Sequence, residues 1–347
     1  MAKISLLAHT YSSYVESLFA LLGKGRQHAG LFYEEVIRFG QPPKPDHPAF
    51  RNASALLEQL HALTDFTLPT LIDKRSDGST SKFLLRTEDA LEIESVMIPM
   101  QSGGTLCISS QVGCRMGCTF CETGRMGLLR NLTTQEIVGQ VFMARHHLGF
   151  AFTNVVFMGM GEPFDNYDNV LQAARIFIEQ KGFGCGKRNV TISTSGRIEE
   201  ILRLAEEGEE SPNLAVSVNA PTDAVRQKIM PINRKHNMAQ LYQTMHAYNA
   251  RTRRQILAAY VLIKDLNSSS EHALNLATYL QGLDVKINII PYNPQSCDRY
   301  QPPEDPDIEC FVNILREKGY QTLLRKTKGR PIMAGCGQLG NLAKRNR

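Results

Sequence analysis

Long apolar runs are missing from this sequence of 347 residues. No stretch approaches the roughly 18–20 consecutive apolar residues that span a bilayer, so no transmembrane helix is expected. The opening residues also lack a basic region followed by an unbroken apolar core, which a secretory signal would need. The sequence therefore predicts no membrane association and a cytoplasmic location.

A strong excess of one charge is missing as well. The 39 Lys and Arg residues against 34 Asp and Glu residues give a formal net charge of +5. This is mild compared with a protein that coats nucleic acid, so charge alone does not indicate an RNA partner. Basic residues do cluster locally, at Arg325, Lys326, Lys328 and Arg330. Such a cluster is by itself typical of a solvated surface.

Changes of pattern divide the chain into three predicted segments. Residues 1–65 have helical apolar spacing, interrupted by a proline-rich break at 41–48. Residues 1–80 are predicted to form a small helical N-terminal domain that could bind RNA. Residues 81–103 contain two strand candidates with alternating polarity and are predicted to connect the larger parts. Residues 104–347 form the predicted main domain.

Apolar strand candidates alternate with helical segments throughout the main domain. They lie at residues 105–110, 154–161, 189–196, 213–219, 256–263 and 284–293. One intervening helix has capping-box spacing at Thr133 and Glu136. This alternation indicates an α/β fold with a parallel sheet covered by helices. Six units favour a partial (β/α)6 TIM-like barrel over a flat sheet, although periodicity alone does not separate the two. A barrel would place the chemistry at the carboxyl ends of its strands.

Three of the eight cysteines lie within eight residues, at Cys114, Cys118 and Cys121. Structural disulfides are not expected in a cytosolic chain of this size. Three thiolates can hold three irons of a 4Fe-4S cluster and leave the fourth iron open to a substrate. The alternative is a structural zinc site completed by a distant fourth ligand, although zinc sites usually show paired C-x-x-C motifs.

The CxxxCxxC spacing, with Phe120 before the last cysteine, resembles the radical S-adenosylmethionine (SAM) superfamily, in which the open iron binds SAM. GMGEP at 159–163 is similar to that superfamily's glycine-rich strand end. Between about residues 82 and 342 the chain resembles, more narrowly, the RlmN/Cfr family. The segments that carry this resemblance are 104–114, 130–141, 155–163, 228–233 and 334–339. It implies the radical SAM fold, with a 4Fe-4S cluster and SAM as cofactors.

Members of that family methylate C2 or C8 of an adenosine in large-subunit ribosomal RNA, and RlmN-type members also act on tRNA. The resemblance thus implies an RNA methyltransferase, and the GMGEP segment favours C2. The implied partners are the RNA and an electron-donating reductant such as flavodoxin. The chain is expected to be a monomer, and the basic residues between 325 and 330 are the expected phosphate contacts.

The resemblance also implies residue roles, position by position. Cys114, Cys118 and Cys121 match the cluster ligands. Cys336 matches the cysteine that becomes S-methylated, Cys107 its resolving partner, and Glu94 the proposed general base. The positions that match SAM contacts are Gly161, Glu162, Ser193, Ser217, Val218, Asn219 and Asn293. The cysteines that match no role are Cys185, Cys297 and Cys310.

The implied mechanism explains why these residue types are needed. Adenine C2 and C8 are electron-poor carbons without a nucleophilic lone pair, so they cannot displace the methyl group of SAM directly. Cys336 would first take a methyl group from one SAM. A 5′-deoxyadenosyl radical from a second SAM would then remove hydrogen from the S-methyl group, and the resulting carbon radical would add to the adenine. Release would need Glu94 as base and Cys107 as attacking thiol, and would leave a Cys107–Cys336 disulfide for the reductant to reopen. The RNA must present the base extruded or single-stranded.

Other interpretations stay open. The same chemistry could act at C8 or on another RNA. The chain could also be a cluster-containing RNA- or ribosome-binding protein without turnover, or a zinc-stabilised binding module. Without the resemblance, Cys107 is typical of a buried core thiol and Glu94 of a solvated strand carboxylate. The joint presence of Cys107, Cys336 and Glu94 argues against lost turnover.

Overall fold

The computed structural model describes residues 3–100, 103–208, 211–295, 299–325 and 328–340. The helices α1 to α11 are, in chain order, Tyr11–Leu22, Arg26–Phe39, Ser54–Leu63, Glu122–Met126, Thr134–Phe142, Tyr167–Ile178, Ile198–Glu206, Asp223–Ile229, Met238–Thr252, Ser270–Tyr279 and Asp305–Glu317. The strands β1 to β14 are Ile4–Ser5, Thr64–Asp65, Thr70–Asp77, Thr80–Arg86, Glu92–Met100, Gly103–Ile108, Gln111–Cys114, Gly127–Asn131, Asn154–Phe157, Val190–Thr194, Asn213–Ser217, Ile256–Leu262, Val285–Pro291 and Thr322–Leu324.

One large sheet organises the molecule. Its strand order is β14-β13-β12-β11-β10-β9-β6-β5-β4-β3. The six predicted strands of the main domain are β6 and β9 to β13, and they pair in parallel in that order. Helices follow these strands, as right-handed crossover connections between parallel strands require. The predicted α/β partial barrel is therefore confirmed, and β14 adds a further parallel strand at one end.

The other end of the sheet is antiparallel and includes one strand that the sequence interpretation missed. Strands β5, β4 and β3 continue the sheet beyond β6 as a meander. Strand β3 lies inside the segment 1–80 that was predicted to be helical, so that prediction is wrong for Thr70–Asp77. Nearly all of its side chains are exposed, so its sequence lacks the alternation of a half-buried strand. The three-segment division of the chain remains a prediction, with β3 assigned to the sheet.

The N-terminal helices α1 to α3 pack against the outside of the barrel. The Tyr11 amide donates to the Glu179 carboxylate (2.6 Å) just after α6, and the His146 ring bonds the Ile37 carbonyl (2.9 Å). One apolar cluster runs without interruption from this region into the barrel. Among the described residues, no helix has the length and apolar character needed to cross a membrane.

Helix α5 joins the first barrel strand, β6, to the neighbouring antiparallel strand β5. Its start shows the predicted capping box, in which Thr133 and Glu136 satisfy each other's backbone amide. Further along, the buried Gln140 accepts from the Ser95 hydroxyl and the Ser109 amide, both at 2.8 Å. Its own amide group donates to the Ser109 carbonyl (2.9 Å). Gln140 thereby holds β5 to the carboxyl end of β6, where the chemistry of a barrel is expected.

Candidate active site

The three clustered cysteines lie on the loop of a small hairpin at the carboxyl end of β6. Cys114 ends β7, and Cys121 precedes α4, with its amide donating to the Cys118 carbonyl (3.2 Å). Burial raises the pKa of all three thiols, and charge on neighbouring thiols raises it further. A metal centre would supply positive charge that lets the three thiols ionise together.

This donor set fits a 4Fe-4S cluster. The three thiols lie on one loop, near enough for charge on Cys118 and Cys121 to raise the pKa of Cys114, and they would hold three of the cluster's irons. Across the part of the chain that the structure describes, no group of three or more His, Cys, Asp or Glu side chains is already arranged so that it could hold a metal ion.

The C-terminal segment that carries Cys336 packs directly onto the cysteine loop. The Glu122 amide donates to the Gly337 carbonyl (2.7 Å), and the Thr123 hydroxyl donates to the Leu339 carbonyl (2.5 Å). A side chain at Gly337 would crowd the Phe120 carbonyl, and its φ of +81° also favours glycine. We call residues 334–340 the C-terminal loop. Its backbone therefore holds Cys336 beside the predicted cluster ligands.

Cys107 lies in β6 on the other side of this loop. It is 6% exposed and packs in an apolar cluster with Val96, Ile98, Ala334 and Leu339. Burial raises the pKa of Cys107 to about 12, and the Cys336 thiol adds to the effect, whereas Arg325 lowers it. Arg325 also lines a narrow cleft together with Cys336. The structure thus brings Cys107 and Cys336 together, with one cation near both.

Glu94 also meets the C-terminal loop. One carboxylate oxygen accepts the Gly340 amide (2.7 Å), and the other pairs with the Lys82 ammonium (3.0 Å). Glu94 lines a cavity of about 530 Å³ whose walls include Met126, Met160 and Met333. Glu94 is therefore not the solvated strand carboxylate that its sequence context alone suggested.

The predicted SAM-contacting positions cluster at the adjoining strand ends. Gly161 has φ +107° and approaches so closely that a side chain would meet Ser110 and Gln111. The buried Glu162 carboxylate accepts the Ser195 amide (2.7 Å) and the Phe164 amide (3.1 Å), and burial raises its pKa. Ser193 and Ser217 are half-buried at the carboxyl ends of β10 and β11.

Three further predicted SAM-contacting residues take part in bonds within the protein. Asn219 has φ +56°, and its side-chain oxygen accepts the Val261 amide (2.8 Å). The neighbouring Val218 is buried, and its amide donates to the Ala259 carbonyl (3.0 Å). Asn293 donates to the Cys336 carbonyl (3.0 Å), which links the end of β13 to the C-terminal loop.

Comparison with known proteins identifies the family. The sequence pattern of the radical SAM superfamily matches residues 108–277. A probable dual-specificity RNA methyltransferase RlmN 1 from Protochlamydia amoebophila (strain UWE25) is 58% identical over 339 residues, covering 98% of this chain and 94% of that relative. This chain belongs to the RlmN family. A dual-specificity RNA methyltransferase RlmN from Halorhodospira halophila (strain DSM 244 / SL1) is 43% identical over 83% of this chain and 80% of its own length.

A solved structure agrees with this RlmN assignment. The radical SAM methyltransferase from Sphaerobacter thermophilus is 36% identical and superposes with a TM-score of 0.87, covering 96% of this chain and 98% of its own. Membership of the RlmN family makes this protein a radical SAM methyltransferase, with a 4Fe-4S cluster and SAM as its cofactors.

The RlmN-type site includes residues that the sequence interpretation missed. Arg226, in α8, is fully buried and donates to the carbonyls of Ser195 (2.6 Å), Ser217 (3.1 Å) and Val218 (3.1 Å). It thereby holds two predicted SAM-contacting strand ends in place. No sequence signal marks it, because a single Arg in a polar helix looks solvent-exposed. The sequence placed Lys82 in a strand but gave it no role. The observed β4–β5 register puts Lys82 diagonally across from Glu94.

One predicted surface is only partly described. The basic residues from 325 to 330 were expected to contact phosphates, but Arg325 lies beside the two thiols and Lys328 donates to the Pro99 carbonyl (2.6 Å). Arg330 is exposed. Lys326 and Cys297 lie outside the described residues. Cys185 is buried and Cys310 exposed, and neither lines the site.

Proposed function

We propose that this protein methylates a ring carbon of adenine in RNA, with C2 preferred, through S-methylated Cys336 and a protein–RNA thioether that Cys107 resolves. The observation that carries the proposal is the position of the C-terminal loop, which contacts the cysteine loop, the buried Cys107 and Glu94 at once. RNA as the substrate class is supported by relatives named dual-specificity RNA methyltransferases, which match nearly the whole chain.

Cys336 is the proposed methyl carrier. It lies in a half-buried turn whose backbone is fixed by Asn293 and Gly337, so its sulfur has a defined position relative to the cysteine loop. A thiolate is the nucleophile that accepts a methyl group from SAM by displacement. When bound, the cluster and SAM supply the radical chemistry that opens a carbon–hydrogen bond of the S-methyl group.

The cavity beside Glu94 is the proposed place for the adenine. Its methionine walls suit a flat aromatic ring, because thioether sulfur makes favourable contacts with aromatic groups. Glu94, aimed into this cavity, would take the proton from the ring carbon to which the methylene has been attached. A base can enter the cavity only after it leaves its stack, so the RNA must present it extruded or single-stranded.

Cys107 is the proposed resolving thiol. It must lose its proton before it can attack the Cys336 sulfur, and its burial opposes this. Arg325 is the cation that favours the thiolate at this position. The attack would form a Cys107–Cys336 disulfide and break the carbon–sulfur bond, whose electron pair stays on the methylene carbon. That carbon takes up a proton to become the methyl group of the free RNA, and an electron-donating reductant such as flavodoxin would then reopen the disulfide.

The wider assignments belong to the same proposal. The substrates are ribosomal RNA and tRNA, and the protein works as a monomer in the cytoplasm. Residues 1–80 form an accessory part with an RNA-binding role. Its helices lie beside α6 through the Tyr11–Glu179 contact, so RNA bound there would lie against the barrel.

Mass spectrometry of nucleosides tests this function. Anaerobically reconstituted protein is incubated with ribosomal RNA or tRNA, SAM and a reductant, and the RNA is digested. We expect a methyladenosine that co-elutes with the C2 isomer, and none from Cys336→Ala under the same conditions. Methylation at C8 would show that the protein modifies C8 rather than C2 of adenine. Methylated RNA from Cys336→Ala would refute the covalent route.

A further inference from the structure

We infer that Lys82 is a positioning residue, which fixes the Glu94 carboxylate for proton removal from the RNA adduct. This inference rests on the proposed function, in which Glu94 is the base. Lys82 has no assigned role, and its side chain makes an ion pair with Glu94 at 3.0 Å inside the cavity.

The sheet register places the two residues together. Lys82 in β4 lies opposite Val96 in β5, and Glu94 is two residues away on the same face of β5. Diagonal neighbours of this kind are within reach of a long side chain. The pair is well shielded from water, since the side chains of Lys82 and Glu94 are only 14% and 13% exposed.

The two oxygens of Glu94 have different partners. Oε1 pairs with the Lys82 ammonium, whereas Oε2 accepts the amide of Gly340 from the C-terminal loop. A carboxylate bonded through both oxygens cannot rotate freely. Lys82 therefore fixes the orientation of the Glu94 carboxylate. The bond from Gly340 fixes that carboxylate relative to the loop that carries Cys336.

Other charges at the cavity are already matched nearby. Arg75 pairs with Asp73 (2.8 Å), Glu92 pairs with Arg86 outside the cavity (3.1 Å), and Glu122 pairs with Arg125 (3.7 Å). Shielded ion pairs add little net folding free energy, because desolvation offsets their attraction. A functional role therefore accounts for the Lys82–Glu94 pair better than stability does.

The step concerned is a single proton transfer. Once the radical adduct has given up its unpaired electron to a one-electron acceptor, the proton passes from the ring carbon to a Glu94 oxygen. The electron pair of the C–H bond stays with the ring and restores its aromaticity. Misplacement of a general base by about 1 Å costs on the order of 100-fold in rate. Earlier steps, including methylation of Cys336, do not use Glu94 and are expected to be unchanged.

The test compares Lys82→Gln and Lys82→Arg with the wild type in single-turnover reactions on RNA. Arg86→Met is the matched control, because it breaks a neighbouring ion pair in the same strand. We expect Lys82→Gln to methylate Cys336 normally but to release product about 10- to 100-fold more slowly. The covalent protein–RNA adduct should accumulate on denaturing gels, and Lys82→Arg should restore most of the rate.

An isotope effect separates positioning from a structural role. With deuterium on the target ring carbon, Lys82→Gln should show slower release than with hydrogen, and Arg86→Met should show the same isotope effect as the wild type. The inference is overturned if Lys82→Gln releases product as fast as Arg86→Met does. It is also overturned if Lys82→Gln loses methylation of Cys336. If Lys82→Gln does not fold, Lys82→Arg with the release rate and the isotope effect of the wild type supports the inference, whereas Lys82→Arg with impaired Cys336 methylation contradicts it. A wild type that forms no adduct and no methyladenosine contradicts the proposed function instead.

Discussion

Cys107 meets two opposing requirements. Its surroundings are those of a core thiol, with apolar neighbours and 6% exposure, yet the proposed mechanism needs it as a nucleophile. Burial alone would keep it protonated. The neighbouring Cys336 and Arg325 distinguish it from an inert core cysteine such as Cys185, whose surroundings contain no second thiol of the site.

Replacing Cys107 should trap the enzyme on its substrate. Cys107→Ala removes the attacking thiol but leaves Cys336 and the cysteine loop intact, so the thioether to RNA should form and persist. We expect an RNase-sensitive, slower-migrating band when the variant is purified from cells and run on a denaturing gel. Free protein with normal RNA methylation would show that Cys107 takes no part in the mechanism. That is the result expected if Cys107 is only a core residue, whose replacement lowers the free energy of unfolding by about 1 kcal/mol.

The reactivity of Cys107 should depend steeply on pH. Because its pKa is raised to about 12, only a small fraction is thiolate at pH 8. Alkylation by iodoacetamide should therefore rise about tenfold per pH unit between pH 8 and 10. Peptide mass spectrometry measures this, with the exposed Cys310 as the internal reference for a readily modified thiol. Modification of both cysteines at equal rates at pH 8 would show that Cys107 is neither buried nor protonated.

At the scale of elements, the sequence was informative where a pattern is local. The six barrel strands show continuous apolar runs, and α5 shows its capping box, so both were predicted. Strand β3 was missed because its side chains are mostly exposed, and β14 because it has only three residues. Such strands form because they pair with neighbouring strands, and the sequence of a single segment does not show that pairing.

Gln140, a single helix residue, joins two strands, β5 and β6. Replacement by Ala would leave the Ser109 amide and carbonyl and the Ser95 hydroxyl without their buried partner. We expect a loss of about 2–3 kcal/mol in the free energy of unfolding, measured by urea denaturation. The control is Gln27→Ala, on an exposed position of α2, which should change stability by less than about 0.5 kcal/mol. Equal effects of the two substitutions would mean that Gln140 does not join β5 to β6.

At the scale of the whole molecule, the site depends on contacts between distant parts of the chain. The Gly340 amide and the Glu94 carboxylate are 246 residues apart in sequence. Spacing alone revealed the cysteine loop, because its three thiols are local, and family resemblance suggested roles for Cys107, Cys336 and Glu94. Neither Lys82 nor Arg226 could be found that way, since Lys82 is defined by its ion pair with Glu94 and Arg226 by the strand ends that it bonds in the folded chain.

The metal content of the whole protein tests the cysteine loop. Anaerobically purified protein should contain iron and sulfide in an oxygen-sensitive 4Fe-4S cluster, and Cys118→Ser should lose most of the iron. The matched control is Cys310→Ser, an exposed position away from the site, which should retain it. Elemental analysis with stoichiometric zinc and no iron after anaerobic reconstitution would favour the zinc alternative instead.

The fate of the methyl hydrogens tests the central claim most directly. The reconstituted protein is given RNA, a reductant and SAM with a trideuterated methyl group, and the methyladenosine is analysed by mass spectrometry. A route through S-methylated Cys336 removes one deuterium before the carbon joins the ring, so the product methyl group should carry two deuterium atoms. A product that retains all three would show direct transfer from SAM to adenine and would contradict the account.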